Sequence, residues 1–541
     1  MRLFTLSILL LTNMVSNAQK DTTYTSISDT SGILQVENVI HLDLSNQNLT
    51  ELPAQLLQCV NIEKLNLSNN NLETLPDELT ALKKLKVLIL DNNSLESLPK
   101  TFKDFKNIQE IYLNNAIKSN SMNTIFGMFV KNPKLSKIEL KNNDISSLPN
   151  NIKSLKVLKH LDLGQNSFVH LPKNISKMLA LQFIGLSNNP GLNFRESFEN
   201  IALIKTLRKI DISNNELSEV PKEVMDCRYI STLNISNNKI TELPDRMTQL
   251  IRMKTLNAEN NAITKVSEAF SLLEGLQVWK MNNNQLTKLP GGMSAIAELI
   301  ILEVHNNPLT SVPENLRQLK ELEVLDLGGS ELTDLGFNVG NLRNLRYLDL
   351  SSNIETFKIS NLSTLKKIEF LNLSGVQGLY SADFWSTIAN LSTLKTLKLN
   401  QTTLKNLPED MSALNKLEHF YLEGNDSLTV LPKSIKDLTN LKTLSLNGTA
   451  VQNIPSDIQN LNQLEVLSLA QLNGLDINNS LTNIAPLELL ELNLTGSILE
   501  NFPTEIPMLK AKKIILKDAI ITPESIVSLQ KALPNTAIIT E

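Results

Sequence analysis

The sequence predicts an α/β fold: a solenoid of stacked repeats, each giving one short strand and one return segment. Three observations predict it. A pattern L-x-x-L-x-L-x-x-N-x-L recurs through residues 39–521, its copies are almost evenly spaced, and its fourth and sixth positions are apolar in every copy. The first position falls at Val39, Ile62, Leu85, Ile108, Leu135, Leu158, Leu181, Leu207, Ile230, Met253, Leu276, Leu299, Leu322, Leu345, Ile368, Leu394, Leu417, Leu441, Leu464, Leu489 and Ala511. Fourteen of the 20 intervals are 23 residues, so the 21 repeats are copies of one supersecondary unit.

The strand comes from the middle of the repeat. Apolar fourth and sixth positions flank a mostly polar fifth, as in Leu42-Asp43-Leu44 and Leu325-Asp326-Leu327. Period-two alternation is a strand with one buried face. The turn after it follows from the asparagine. Asn70, Asn93, Asn143, Asn166, Asn189, Asn215, Asn238, Asn261, Asn284, Asn307, Asn353 and Asn425 hold the ninth position. A buried amide can both donate and accept, so it can satisfy backbone groups of its own turn and of the next. Gln47, Ala116, Ser330, Val376, Thr402, Thr449, Leu472, Ser497 and Ala519 replace it. Six of these lie from the fifteenth repeat onward, which predicts a looser or differently twisted C-terminal third.

The return segment is read as a short helix or single helical turn. Leu75-Pro76-Asp77-Glu78-Leu79, Leu407-Pro408-Glu409-Asp410-Met411 and Val312-Pro313-Glu314 put proline in the first turn, where its missing N–H costs nothing. The following acids suit the positive end of the helix dipole. Longer repeats carry 121–130, 193–201 and 380–388, which we expect to be longer helices rather than binding loops. A single repeat cannot repay the backbone entropy of ordering itself, so stability must come from neighbours.

At this copy number the chain resembles leucine-rich repeat proteins of the 23-residue LPxxIxxLxxLxxLxLxxNxL type, over residues 39 to about 521. The resemblance implies a curved horseshoe or superhelix. A parallel β-sheet would line the concave face, with short helices or turns on the convex face. It also implies recognition of other molecules.

The ends read separately. Residues 1–18 have the form of a cleaved signal peptide: Arg2, the apolar run Leu3 to Leu11, then Ser16-Asn17-Ala18. The run is too short to span a bilayer. Residues 19–38 are expected to form an N-terminal linker and cap, with Ile33, Leu34 and Val36 on the first repeat. Residues 522–541 are expected to form a C-terminal cap: a helix over Pro523 to Leu533, then a strand over Ala537 to Ile539. Leu533-Pro534-Asn535-Thr536-Ala537 lacks the apolar and basic tail of a wall-sorting signal. The expected location is therefore secreted, periplasmic or cell-surface, without membrane insertion. Animal extracellular relatives typically carry cysteine-rich caps, and their absence here leans toward a bacterial origin.

Composition narrows function. A net charge of −5 argues against nucleic acid, which asks for a basic surface. Cys59 and Cys227 occupy equivalent sites seven repeats apart, beyond disulfide reach, and should be buried thiols. His41, His160, His170, His305 and His419 are too scattered for a histidine metal site, and all but His170 are assigned to strand positions. Neither HExxH, GxSxG, CxxC nor a phosphate-binding glycine loop occurs, and the repeats leave no length for an added catalytic domain. No enzyme activity, metal or cofactor is expected, and the chain is expected to be a monomer.

One constellation stands out. The third positions of repeats 11–15 read Val278, Ile301, Val324, Tyr347 and Phe370, an apolar stripe when stacked. Beside it the fifth positions read Lys280, Glu303, Asp326, Asp349 and Asn372, with His305 nearby. An apolar strip rimmed by acids suits a protein or peptide with an apolar ridge and a basic flank. Strand propensity alone would also favour β-branched and aromatic residues there. Adhesion through many weak contacts, and a carbohydrate-binding or hydrolytic role for Asp326 and Asp349, are the competing functions. Asn-x-Ser/Thr sequons such as Asn66-Leu67-Ser68 follow from the repeat itself and carry no information on glycosylation.

Overall fold

A computed structural model describes residues 23–25, 39–118, 122–354, 362–377, 382–472, 474–499 and 506–540. The expected signal segment 1–18, the expected capping residues Ile33, Leu34 and Val36, and Tyr380 lie outside the described residues. The chain divides into two compact units, Met1–Asn215 and Glu216–Glu541.

Within each unit every strand lies parallel to the next in sequence. In the first unit His41–Asp43 pairs with Lys64–Asn66, and the ladder runs on to Lys209–Asp211. Thr23 and Tyr24 add a short strand ahead of it, opposite His41 and Leu42. In the second unit the ladder runs from Thr232–Asn234 to Ala537–Ile539. This is the open, parallel leucine-rich repeat solenoid fold.

The strands are three residues long because only the third to fifth positions of each repeat are extended. The fourth points inward, as Leu65 and Leu325 do with no exposure, while its neighbours face out. The first and sixth positions complete the floor: Ile62, Leu67, Leu322 and Leu327 are fully buried. The core is thus a column of apolar side chains shared between coils, with each coil covering the last.

The asparagine works differently from the sequence expectation. Asn70 donates to Leu67 O at 2.9 Å and Ser68 O at 3.2 Å of its own coil, but its remaining bonds reach backward. It donates to Leu44 O at 2.9 Å and accepts from Leu49 N at 2.9 Å, both in the preceding coil. Asn166, Asn284 and Asn307 repeat the arrangement. The amide therefore ties its own turn to the turn before it, not to the one after, because the preceding loop presents both a free carbonyl and a free N–H. Where threonine replaces asparagine the hydroxyl bonds its own coil, Thr402 donating to Leu399 O at 3.0 Å and Thr449 to Leu446 O at 2.7 Å, and the Thr402 hydroxyl also meets Asn425 Oδ1 of the following coil at 3.0 Å. In later coils without the asparagine, the ninth-position N–H of Thr449, Ser497 or Ala519 closes on the carbonyl three residues back. That local closure is the observed change in the C-terminal repeats.

The residue before the asparagine is equally constrained. Asn69, Asn92, Asn188, Asn237, Asn260 and Asn306 have φ between 51° and 55°, and Gly329, Gly424 and Gly448 take the same place. Asparagine and glycine tolerate this left-handed conformation best. The recurring Asn-Asn pair thus has two tasks: the first bends the chain and the second bonds.

The return segments are 3-10 turns, such as Asp77–Ala81 and Glu314–Gln318. Proline stands one residue earlier than expected, as the extended cap, and the Pro76 carbonyl accepts from Leu79 N at 3.1 Å. A 3-10 turn makes that carbonyl its first acceptor, so proline closes the turn without entering it. At residues 407–411 the turn starts later still, at Ser412, whose N–H is capped by Asp410 at 2.9 Å. The longer repeats form α-helices Met122–Phe129, Phe194–Ile201 and Ala382–Ala389, as expected. A further one, Ile477–Ile484, was not anticipated. The cap elements Pro523–Ala532 and Ala537–Ile539 are present. Among the described residues no helix is long and apolar enough to cross a membrane.

Candidate functional site

Five consecutive strands of the second unit carry the apolar stripe. Their register places Val278 beside Ile301, Ile301 beside Val324, Val324 beside Tyr347 and Tyr347 beside Phe370. All five are half-buried, with their backbones fixed by the ladder and Trp279, Leu302, Leu325, Leu348 and Leu371 beneath. Tyr347 and Phe370 stack with centroids 4.2 Å apart and planes 4° from parallel. Lys398 Nζ, on the next strand, lies 5.5 Å from the Phe370 centroid and 5.2 Å from that of Tyr421. Lys398 is the fifth position of repeat 16. Carrying the stripe one repeat further would have found it, but Thr396 broke the apolar pattern there.

Two charged rows flank the stripe. On the strand-leading side, Arg346 bridges Glu323 at 3.8 Å and Glu369, which also takes Lys395 at 2.7 Å. This row largely neutralises itself. On the other side Lys280 pairs with Glu303 at 2.8 Å, which leaves Asp326 and Asp349 as the acids without a lysine or arginine. Both are held in turns of their own strand. Asp326 Oδ1 accepts from Gly328 N at 3.1 Å. Asp349 Oδ1 accepts from Ser351 N at 2.9 Å and Ser351 Oγ at 2.6 Å, while Oδ2 accepts from Asn372 at 2.7 Å.

His305 lies two residues past the strand Ile301–Glu303, not on it as expected. There its Nδ1 meets Asp326 Oδ1 at 3.0 Å, and Asp326 raises its pKa against the opposing effect of burial. Burial and the nearby Asp349, Asp326 and Glu303 carboxylates push the Tyr347 phenol far above its ordinary range. At neutral pH that ring is an uncharged donor. The structure therefore brings together every residue of the sequence-derived candidate: Val278, Ile301, Glu303, His305, Val324, Asp326, Tyr347, Asp349 and Phe370. The five histidines do not meet one another.

The first unit has its own polar cluster on the same sheet face. Glu139 takes Lys137 at 2.9 Å and Asn114 at 3.0 Å, with His160 Nε2 at 3.6 Å. Burial would raise its carboxyl, but these neighbours outweigh it and bring the pKa down to about 2. His160 stacks on Phe183 at 4.2 Å, and Lys137 sits 4.6 Å from the Tyr112 centroid. The sequence does not single out this cluster, because its third positions, Glu110, Lys137, His160 and Phe183, form no apolar run. Cys59 and Cys227 are free and buried, and burial pushes the Cys227 thiol up to about 12. A cleft of 410 Å³ at Glu488, Leu509 and Leu533 and another of 720 Å³ at Ser294, Arg317 and Asn341 include none of the stripe residues.

Comparison with known proteins agrees with the architecture. A leucine-rich repeat region model matches residues 359–506, and a leucine rich repeat model matches residues 60–117 and 205–263. No curated protein matches the chain significantly. Among solved structures, the plant peptide hormone receptor RGFR1 in complex with RGF2 is 22% identical, with a TM-score of 0.55 over 93% of this chain and 89% of that one. TLR13 in complex with ssRNA13 is 18% identical, with a TM-score of 0.52 over 95% and 93%. The Arabidopsis receptor kinase HAESA, in complex with the peptide hormone IDA and the co-receptor SERK1, is 20% identical, with a TM-score of 0.51 over 90% and 83%. These likenesses concern the fold. With the repeat pattern, the parallel ladders and the matched family models together, the chain is a leucine-rich repeat protein.

Proposed function

We propose that the chain is an exported, non-enzymatic recognition scaffold that binds a protein or peptide on its sheet face. The contact would center on Val278, Ile301, Val324, Tyr347 and Phe370. The observation that carries this reading is the in-register, half-exposed stripe ending in a stacked aromatic pair and edged by Asp326 and Asp349. Apolar side chains held rigid by a ladder lose little entropy on association, so their burial converts efficiently into affinity. The acids favour a partner with a basic flank, and they disfavour a phosphate backbone. RGFR1 and HAESA are named as receptors in complex with peptide hormones, which is compatible with such use of the fold.

A glycan-hydrolysing role is less favoured. Asp349 is 5% exposed and committed to Ser351 and Asn372, and both acids sit on an open face rather than in a pocket. Adhesion by many weak contacts would need no defined stripe.

Selection from a random displayed-peptide library tests the reading. Enriched peptides should pair apolar residues with Lys or Arg, and Tyr347→Ser/Phe370→Ser should lose them while keeping its circular dichroism. No enrichment, or equal binding by the double variant, would refute it.

A further inference from the structure

His305, Asp326 and Asp349 come from three consecutive coils and meet on the sheet face. Each offers a ligand-type atom, and these atoms lie within 4.8 Å of one another; among the described residues no second group of three comes this close. Two ligands bound at ~2.0–2.2 Å to one ion stand roughly 3 Å apart when adjacent and ~4.4 Å when opposed. The 3.0 Å from His305 Nδ1 to Asp326 Oδ1 matches the adjacent case.

The ligands are preorganised. Asp326 is oriented by Gly328 N, Asp349 by Ser351 and Asn372, and the His305 backbone N–H by Asn282 Oδ1 at 2.7 Å. Such outer partners fix ligand orientation before an ion arrives. Space is kept as well. A Cβ on residue 328 would stand 2.5 Å from His305 Nδ1 and 2.9 Å from Asp349 Oδ1. Gly328, unlike Gly329, has no left-handed φ, so the side chains around it, not the backbone, call for glycine.

The first unit shows what the same repeat position does when it only balances charge. There Lys141, the counterpart of His305, holds Asp162 at 2.9 Å with a permanent cation. In the second unit that cation is replaced by an imidazole, which can shed its proton and offer a lone pair. Two carboxylates with a neutral imidazole carry two negative charges and mix one nitrogen with oxygen donors. That set suits a divalent transition metal better than calcium, which prefers oxygen alone.

We propose that His305, Asp326 and Asp349 bind one divalent transition-metal ion of the zinc or manganese class. The site shares Asp326 and Asp349 with the proposed peptide contact, but it stands or falls by direct metal binding. Binding displaces any proton on His305, so affinity rises with pH. Lys280 opposes the ion only weakly, being paired with Glu303.

The test is calorimetric titration of the chelator-treated full chain with zinc chloride and, separately, manganese chloride. Expected are one ion per chain, at least about tenfold weaker binding in His305→Gln and in Asp326→Asn, and no change in His419→Gln. Affinity should also fall on acidification toward about pH 6. Absence of saturable binding of either metal, or an affinity unchanged in His305→Gln, would overturn the proposal. His305 is partly exposed and outside the core, so its variant decides the matter even if Asp326→Asn folds poorly.

Discussion

At the scale of single residues, the buried asparagines carry the most concentrated energetics. Asn307 has no exposure and bonds Met281 O, Val304 O and Leu286 N, so Asn307→Ala strands three backbone groups at once. Chemical denaturation should register a loss of about 2–4 kcal/mol. The neighbouring left-handed position predicts the opposite sign. Gln401 has φ of 53° where most other coils use Asn or Gly, and Gln401→Gly should raise stability by about 1 kcal/mol in the same assay. Glu139 gives the pH dependence. Its folded pKa, about 2, lies below its ordinary 4.5. Its contribution is therefore complete above pH 4.5 and disappears as pH falls toward about 2. Removing it in Glu139→Gln should flatten stability over that window by on the order of 1–2 kcal/mol, allowing for solvent screening. His305 has the reverse sign: its raised pKa stabilises the fold below pH 6.5 and ceases to do so as pH rises through the folded value. The stripe was legible in the sequence because third positions share one face. The meeting of His305 with Asp326 was not. It depends on the seventh position of one coil leaning on the fifth of the next, which the repeat period alone does not reveal.

At the scale of elements, strands were legible and turn boundaries were not. Alternation around the fifth position fixes a strand because only a pleated segment hides the fourth residue and exposes its neighbours. Proline constrains one dihedral and one donor, so it marks the return without saying whether the turn begins at it or after it. Pro76 and Pro408 differ in this respect. The helix Ile477–Ile484 went unnoticed because its repeat is only two residues longer than the common period. It begins under a cap, Asp476 accepting from Asn479 N at 3.1 Å, and Asn193 does the same for Glu196 N at 3.1 Å. Asn193→Ala should cost about 0.5–2 kcal/mol, read by thermal melting.

At the scale of the molecule, stability is local in sequence even though the fold is long. Among the described residues the backbone of each coil bonds to the coils on either side and to no others, which makes each unit nearly one-dimensional. Calorimetry should therefore give a total unfolding enthalpy well above the van't Hoff value, whereas a single cooperative block would make them equal. The backward reach of the asparagines also gives the array a direction. Leu49 N, Ile145 N and Leu286 N each wait for an amide that lies 21 residues further along the chain. Translation delivers the earlier coil first, so each of these turns leaves the ribosome unfinished and is completed by its successor. Assembly in the cell then resembles a zip closed by a one-way slider.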